Sequence, residues 1–251
     1  MNTENFNVAV PEGKDKVEVV LREVNSEIQK ELPVLEPSKV EISGQISAPY
    51  SFLEKRWNAE DAQIDHNRTH LLVNRDALNM ELVINETDTR NSKRISGKIE
   101  LSRQFKSFGI NTDREFDPED LGNFFRINRC YYDGTKEECM TLVSTLKGFK
   151  ATIQTEVERE IKDNGSVTDV YKKVVNSNLP KSFFVKIPIF KGADPERIEI
   201  EIIARVSGRD VALSLISADA ETIIEEVRDK LIDDQLDKIK ELAPEIPIIE
   251  K

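Results

Sequence analysis

Hydrophobic and polar positions alternate most persistently over residues 149–161, where Phe149, Ala151, Ile153, Val157 and Ile161 fall on odd positions and every even position is polar. A period of two predicts an extended strand with one wet face. Asp163-Asn164-Gly165-Ser166 follows; Asn and Gly tolerate the positive φ of a tight hairpin turn, so a second strand over 167–175 is expected to fold straight back. Residues 182–190 have strongly extended character, with Pro188 pointing to an edge strand or a bulge. The alternating stretches 197–206 and 211–216 flank Ser207-Gly208-Arg209-Asp210, a further hairpin turn. Turns this short require antiparallel neighbours. A helix over 219–242 closes the run, because Ile223, Ile224, Val227, Leu231, Leu236, Ile239 and Leu242 recur at three- and four-residue spacing and form a stripe wide enough to lie on a sheet. Pro244 stops it.

Upstream, residues 1–16 read as an arm, and 16–29 fit either a strand over 17–21 or a helix carrying Val20, Val24 and Ile28. Pro33 and Pro37 interrupt the chain. A strand over 39–46 leads to a helix that starts at Pro49 and carries Phe52, Leu53 and Trp57. Residues 70–73 and 80–84 pair across a loop containing Asn74-Arg75-Asp76. Over 94–101 Ile95, Ile99 and Leu101 point inward and Arg94, Lys98 and Glu100 outward, with Phe105 and Phe108 continuing the segment as far as Gly109. Asp117-Pro118-Glu119-Asp120 is a helix start, with a capping Asp, a first-turn Pro and acids at the positive end of the dipole. Its helix would bury Leu121, Phe124, Phe125 and Ile127, and a second, over 136–146, Met140, Val143 and Leu146. The expected fold class is α+β: a large antiparallel sheet, a two-helix insertion at 117–147 and a C-terminal amphipathic helix at 219–242 on one face. The expected organisation is an arm and linker at 1–38, one domain at 39–242 whose residues 149–217 are antiparallel strands, and a tail at 243–251.

Charge narrows the function. The net of −11 is uneven: residues 219–251 hold 11 acids against 5 bases, a net of −6, which leaves −5 for the first 218 residues. A uniformly basic nucleic-acid-binding domain is therefore excluded, since phosphate binding draws on clustered Lys and Arg, but a local patch is not. Such a patch occurs at 90–106, with Arg90, Lys93, Arg94, Lys98, Arg103 and Lys106 against Glu100 alone, and Phe105 and Phe108 close by. Cations beside aromatic rings suit a single strand, whose phosphates are neutralised while bases stack. The plainer reading makes the phenylalanines core and the cations a wet face.

No apolar run approaches the roughly 20 residues of a membrane helix, and the first residues lack the basic and apolar stretches of a signal peptide, so a cytoplasmic location without a membrane partner is expected. His66 and His70, four apart, have zinc-ligand spacing on a helix, with Cys130 and Cys139 as possible completing ligands and Asp61 and Asp65 as nearby acids. A metal-dependent hydrolase or nuclease is the alternative these residues raise. Against it, the histidines run into a strand, the cysteines lie nine apart and no general-base Glu follows His66. No Gly-rich phosphate loop or nucleophile elbow occurs, and no cofactor is expected.

One ordered set of features, running from Arg103-Gln-Phe105-Lys-Ser-Phe108-Gly109-Ile110 through the Asp117-Pro118-Glu119-Asp120-Leu121 helix and the long strand pair around Asn164-Gly165 to Leu179-Pro180-Lys-Ser-Phe183-Phe184 and Ile187-Pro188-Ile189-Phe190, then the Arg205 strand and an acidic helix, resembles the YfdQ-like proteins of prophages and tailed phages. The resemblance covers residues 40–240, and its compact motif is the Leu-Pro-x-x-Phe and Ile-Pro-Ile-Phe block. It implies a phage or prophage source and an accessory role in an infected bacterium, with no established activity and no catalytic residue to transfer. The residues themselves, with no convergent catalytic set but with edge-strand segments and a strongly patterned amphipathic helix suited to an interface, give the expectation of a non-enzymatic protein acting by binding as a homo-oligomer. Its partner would be single-stranded nucleic acid at 90–106, or a host protein at the acidic helix.

Overall fold

The computed structural model describes residues 40–88, 91–161, 178–207 and 210–251. The chain divides between Pro37 and Ser38, and Met1–Pro37, with both readings of 16–29, lies outside the described residues. The remainder is α+β, as its pattern predicts, but it holds two sheets instead of one large one. Strands β1 (Val40–Gln45), β2 (His70–Asn74), β3 (Asn79–Ile84), β4 (Lys93–Lys98) and β8 (Ile248–Glu250) form a mixed sheet in the order β1-β4-β3-β2-β8. Strands β5 (Phe183–Pro188), β6 (Pro195–Ser207) and β7 (Asp210–Ile216) form an antiparallel sheet in that order. The described helices are α1 (Ala48–Arg56), α2 (Arg103–Phe108), α3 (Pro118–Ile127), α4 (Lys136–Ile161) and α5 (Ala220–Leu242).

The hairpins around 74–78 and 207–210 form as expected: β2 pairs with β3 from His70↔Val83 to Asn74↔Asn79, and β6 with β7 up to Ser207↔Asp210. Pro188 ends β5, an edge strand, where its missing N–H costs no ladder bond. The wholly antiparallel expectation fails at two places. β1 pairs parallel with β4, and β8 parallel with β2, which also turns the expected tail at 243–251 into a sheet strand. Such pairings follow long connections and have no local turn to announce them.

The strand expected at 149–161 is the second half of α4. Phe149, Ile153, Val157 and Ile161 are four apart as well as an even number apart, so they satisfy a helical stripe too. Continuity decides between the two: Val143, Leu146, Phe149 and Ile153 are buried along one face that continues from the helix beginning at Lys136. The turn at 163–166 and the strand at 167–175 lie outside the described residues. Phe105 and Phe108 likewise leave the strand pattern, as the buried side of α2. Ser102 caps that helix, its Oγ accepting from Phe105 N–H at 2.9 Å, and Gly109 ends it in the left-handed region at φ 64°. Asp117 and Pro118 start α3 as expected, with Asp117 Oδ1 accepting from Glu119 N–H at 3.0 Å. Burial pushes the Asp117 carboxyl up, but the Lys150 ammonium and the Glu119 N–H outweigh it and hold the group below its usual value. Ile127 does not point inward as its pattern predicts. It is 79% exposed, because Leu121 and Phe125 already define the buried side of α3.

One core joins the inner face of the five-stranded sheet (Leu71, Leu82, Ile95) to Val185, Ile198 and Leu213 of the other sheet and to Phe108, Phe125 and Phe149. α5 packs on α1 and β6 through Val227, Ile232, Leu236 and Ile239. Its middle is tied to the sheet by Arg75 of the β2–β3 turn, which donates to Asp233 at 2.7 Å and to Asp229 and Glu250 at 3.2 Å each. One guanidinium thus holds together a hairpin, α5 and β8. Arg75→Met should cost about 1–2 kcal/mol, less than a deeply buried network because the carboxylates are half exposed. Chemical denaturation checks this, and an unchanged midpoint would show that β8 and α5 hold their places without the arginine.

Candidate functional site

The six expected cations do not form one surface. Arg90 lies outside the described residues. Because side chains alternate along β4, Lys93 falls on the side of Ile95 and Gly97, and its Nζ donates to the Ala62 carbonyl at 3.4 Å. Arg94 faces outward but is paired with Glu81 at 2.9 Å. Lys98 ends β4 and is exposed; Arg103 and Lys106 are exposed one turn apart on α2. Among the described residues these three form no ion pair. Phe105 and Phe108 are 7% and 0% exposed, so they belong to the core and no base can stack on them.

A residue that the sequence pattern does not single out joins the free cations. The chain after β4 runs beside the end of β5: Ser102 N–H donates to Ile189 O at 2.8 Å, Leu101 bridges Phe190, and Lys191 N–H donates to Glu100 O at 2.8 Å. Gly192 turns the chain away at φ 84°. This ladder brings Lys191 to the same rim as Lys98.

The rim encloses a cavity of about 510 Å³, lined among others by Gln45, Lys98, Ile99, Lys191, Leu231 and Gln235. One wall is the margin where the parallel strands β1 and β4 end together, Gln45 opposite Lys98. The opposite wall is α5. Gln235 occupies a stripe position on that helix, four residues from both Leu231 and Ile239; it is only 9% exposed, and its Oε1 has no hydrogen-bond partner among the described residues. A glutamine at an apolar-stripe position is the signal the sequence offers for it. Glu100, exposed, also borders the cavity, so the rim carries two cations against one acid. A second hollow of about 440 Å³, beside Tyr132, Leu142, Leu179 and Phe183, has polar groups already engaged: Glu138 accepts from Thr135 N–H at 2.8 Å and Ser182 donates to Glu199 at 2.6 Å.

The histidines do not converge. His66 stacks on Trp57 with ring centroids 3.8 Å apart and its Nδ1 lies 3.3 Å from Glu245, whereas His70 begins β2 with its Nδ1 2.9 Å from Glu86. Asp65 caps a short turn, accepting from Asn67 N–H at 3.0 Å, and Asp61 lies 3.7 Å from Arg56. Among the described residues no three His, Cys, Asp or Glu side chains are grouped as a metal site. Cys130 is exposed and Cys139 buried; burial pushes the Cys139 thiol up, against a smaller opposing effect of Arg129. No described helix is long and apolar enough to cross a membrane. No protein-family model, curated protein or solved structure matches this chain.

Proposed function

We infer that this is a non-enzymatic accessory protein of a phage or prophage that works by binding, with single-stranded nucleic acid as its partner. The observation that carries the reading is the placing of exposed Lys98 and Lys191, from distant parts of the chain, on one rim, with Arg103 and Lys106 exposed on the helix that follows. In a chain of net charge −11, cations without ion pairs are a local attractor for phosphate. The commitments of the histidines to Glu245 and Glu86 favour this over hydrolysis. A homo-oligomer fits the same reading, since among the described residues β1 is a sheet edge whose Val40 and Ile42 are 39% and 43% exposed.

Fluorescence anisotropy with a labelled single strand at low salt tests it. The combined Lys98→Glu, Arg103→Glu and Lys106→Glu variant should bind about 100-fold more weakly, and the slope of log affinity against log salt should flatten by about 0.7 for each phosphate no longer neutralised. Arg94→Glu should change little, because Glu81 already occupies that guanidinium. Equal affinity of the triple variant and the wild type would overturn the assignment.

A further inference from the structure

We propose that the cavity between the β1/β4 margin and α5 is a base-binding site, taking one unstacked base of a single strand while Lys98 and Lys191 hold the adjoining phosphate. This deepens the function proposed above and rests on it. At about 510 Å³ the cavity falls within the roughly 300–1,000 Å³ of small-ligand sites. Ile99 and Leu231 give it apolar walls against which the flat face of a base can lie. Gln235 supplies the polar recognition. Its Oε1 is an acceptor closed to solvent and, among the described residues, without a partner, a state that a buried amide keeps only at a cost. The amide belongs to a side chain that lines the cavity and carries a donor beside an acceptor, the complement of a base's hydrogen-bonding edge; Oε1 is closed to solvent, so a base reaches it once the amide turns about its terminal torsion. The two ammonium groups sit at the rim and the amide in the wall of α5, so charge is outside and hydrogen bonding inside, as a nucleotide requires.

The test uses the full chain with two oligonucleotides of equal length and charge, one an ordinary single strand and one abasic at every position. Wild-type protein should bind the base-bearing strand about tenfold tighter than the abasic one. Gln235→Leu should lose most of that gap by weakening the base-bearing strand alone, while melting at or above the wild-type temperature. Leu231→Phe, which fills the cavity from the same helix, should close the gap in the same way and serves as a second variant should the first fold poorly. Lys98→Glu should weaken both strands together. Wild type that binds both strands equally overturns the base site and leaves the electrostatic reading standing; wild type that binds neither overturns both. A full gap retained by both cavity variants places base recognition elsewhere and overturns the proposal.

Discussion

Replacing Phe108 by alanine is expected to cost about 3–5 kcal/mol of folding stability, enough to unfold much of the population of a marginally stable domain. The side chain is fully buried, at the end of α2. Its ring meets Phe124 edge-on at 5.0 Å between centroids, and Phe125 and Tyr131 at 6.2 and 6.3 Å. Phe125 in turn meets Phe183 of β5 at 5.1 Å, so the cluster joins two helices to the three-stranded sheet. Truncation removes the transfer free energy of the ring and its edge-to-face packing, and leaves a hole that surrounding helices and strands cannot close. Urea denaturation followed by tryptophan fluorescence, reporting on Trp57, measures the loss. A cost under about 1 kcal/mol would mean that the cluster collapses around the gap. The same variant addresses the binding reading indirectly. Phe108 lies among the cations of α2 in sequence, yet whatever fraction remains folded should bind a single strand as tightly as the wild type, because the ring faces the core.

Gly97→Ala is the second large effect, expected near the top of the overpacking range at about 3 kcal/mol. A Cβ at this position would stand 2.8 Å from the carbonyl oxygens of both Gln45 and Ile46 and 2.9 Å from Cδ of Pro49. Two of these neighbours are backbone and the third is a proline ring at the start of α1, so none can turn aside as a flexible side chain would. The helix must instead lift off β4. Gln45 and Ile46 also border the cavity, so the protein that still folds should show a weakened preference for base-bearing over abasic strands. Thermal melting and the paired titration together check this; an alanine variant as stable as the wild type would mean that α1 moves freely against the sheet.

Much of the local structure is legible in the sequence because local chemistry specifies it. Asp117 and Pro118 begin α3 by the capping and first-turn rules their sequence invokes, and Pro49 sits in the first turn of α1, which has no side-chain cap. The runs on either side of Asn74-Arg75-Asp76 pair with each other because the short turn between them leaves an antiparallel hairpin as the local solution. Residues 149–161 mislead for an equally physical reason: side chains four apart share a face in a helix and in a strand, and only burial along a continuous α4 separates the two. Phe105 and Phe108 stand three apart, a helical interval; the alternation running up to Leu101 masks the cap at Ser102.

The candidate site divides along the same line. Lys98, Arg103 and Lys106 are legible as a run of positive charge along the sequence, and as charged groups they stay exposed in the fold. Which of the six remain unpaired is not visible, because it depends on the face of β4 and on Glu81 across the ladder. Lys191 and Gln235 reach the rim and the wall through the bridge beside β5 and the seating of α5, and the wall between them exists because β1 runs parallel to β4. From sequence alone come the α+β class, the hairpins between β2 and β3 and between β6 and β7, and the start of α3, all set by interactions within a few residues. The two-sheet division, the parallel edges, the length of α4 and the cavity with its unpartnered glutamine come from tertiary structure, which alone chooses among pairings that local preference leaves equal.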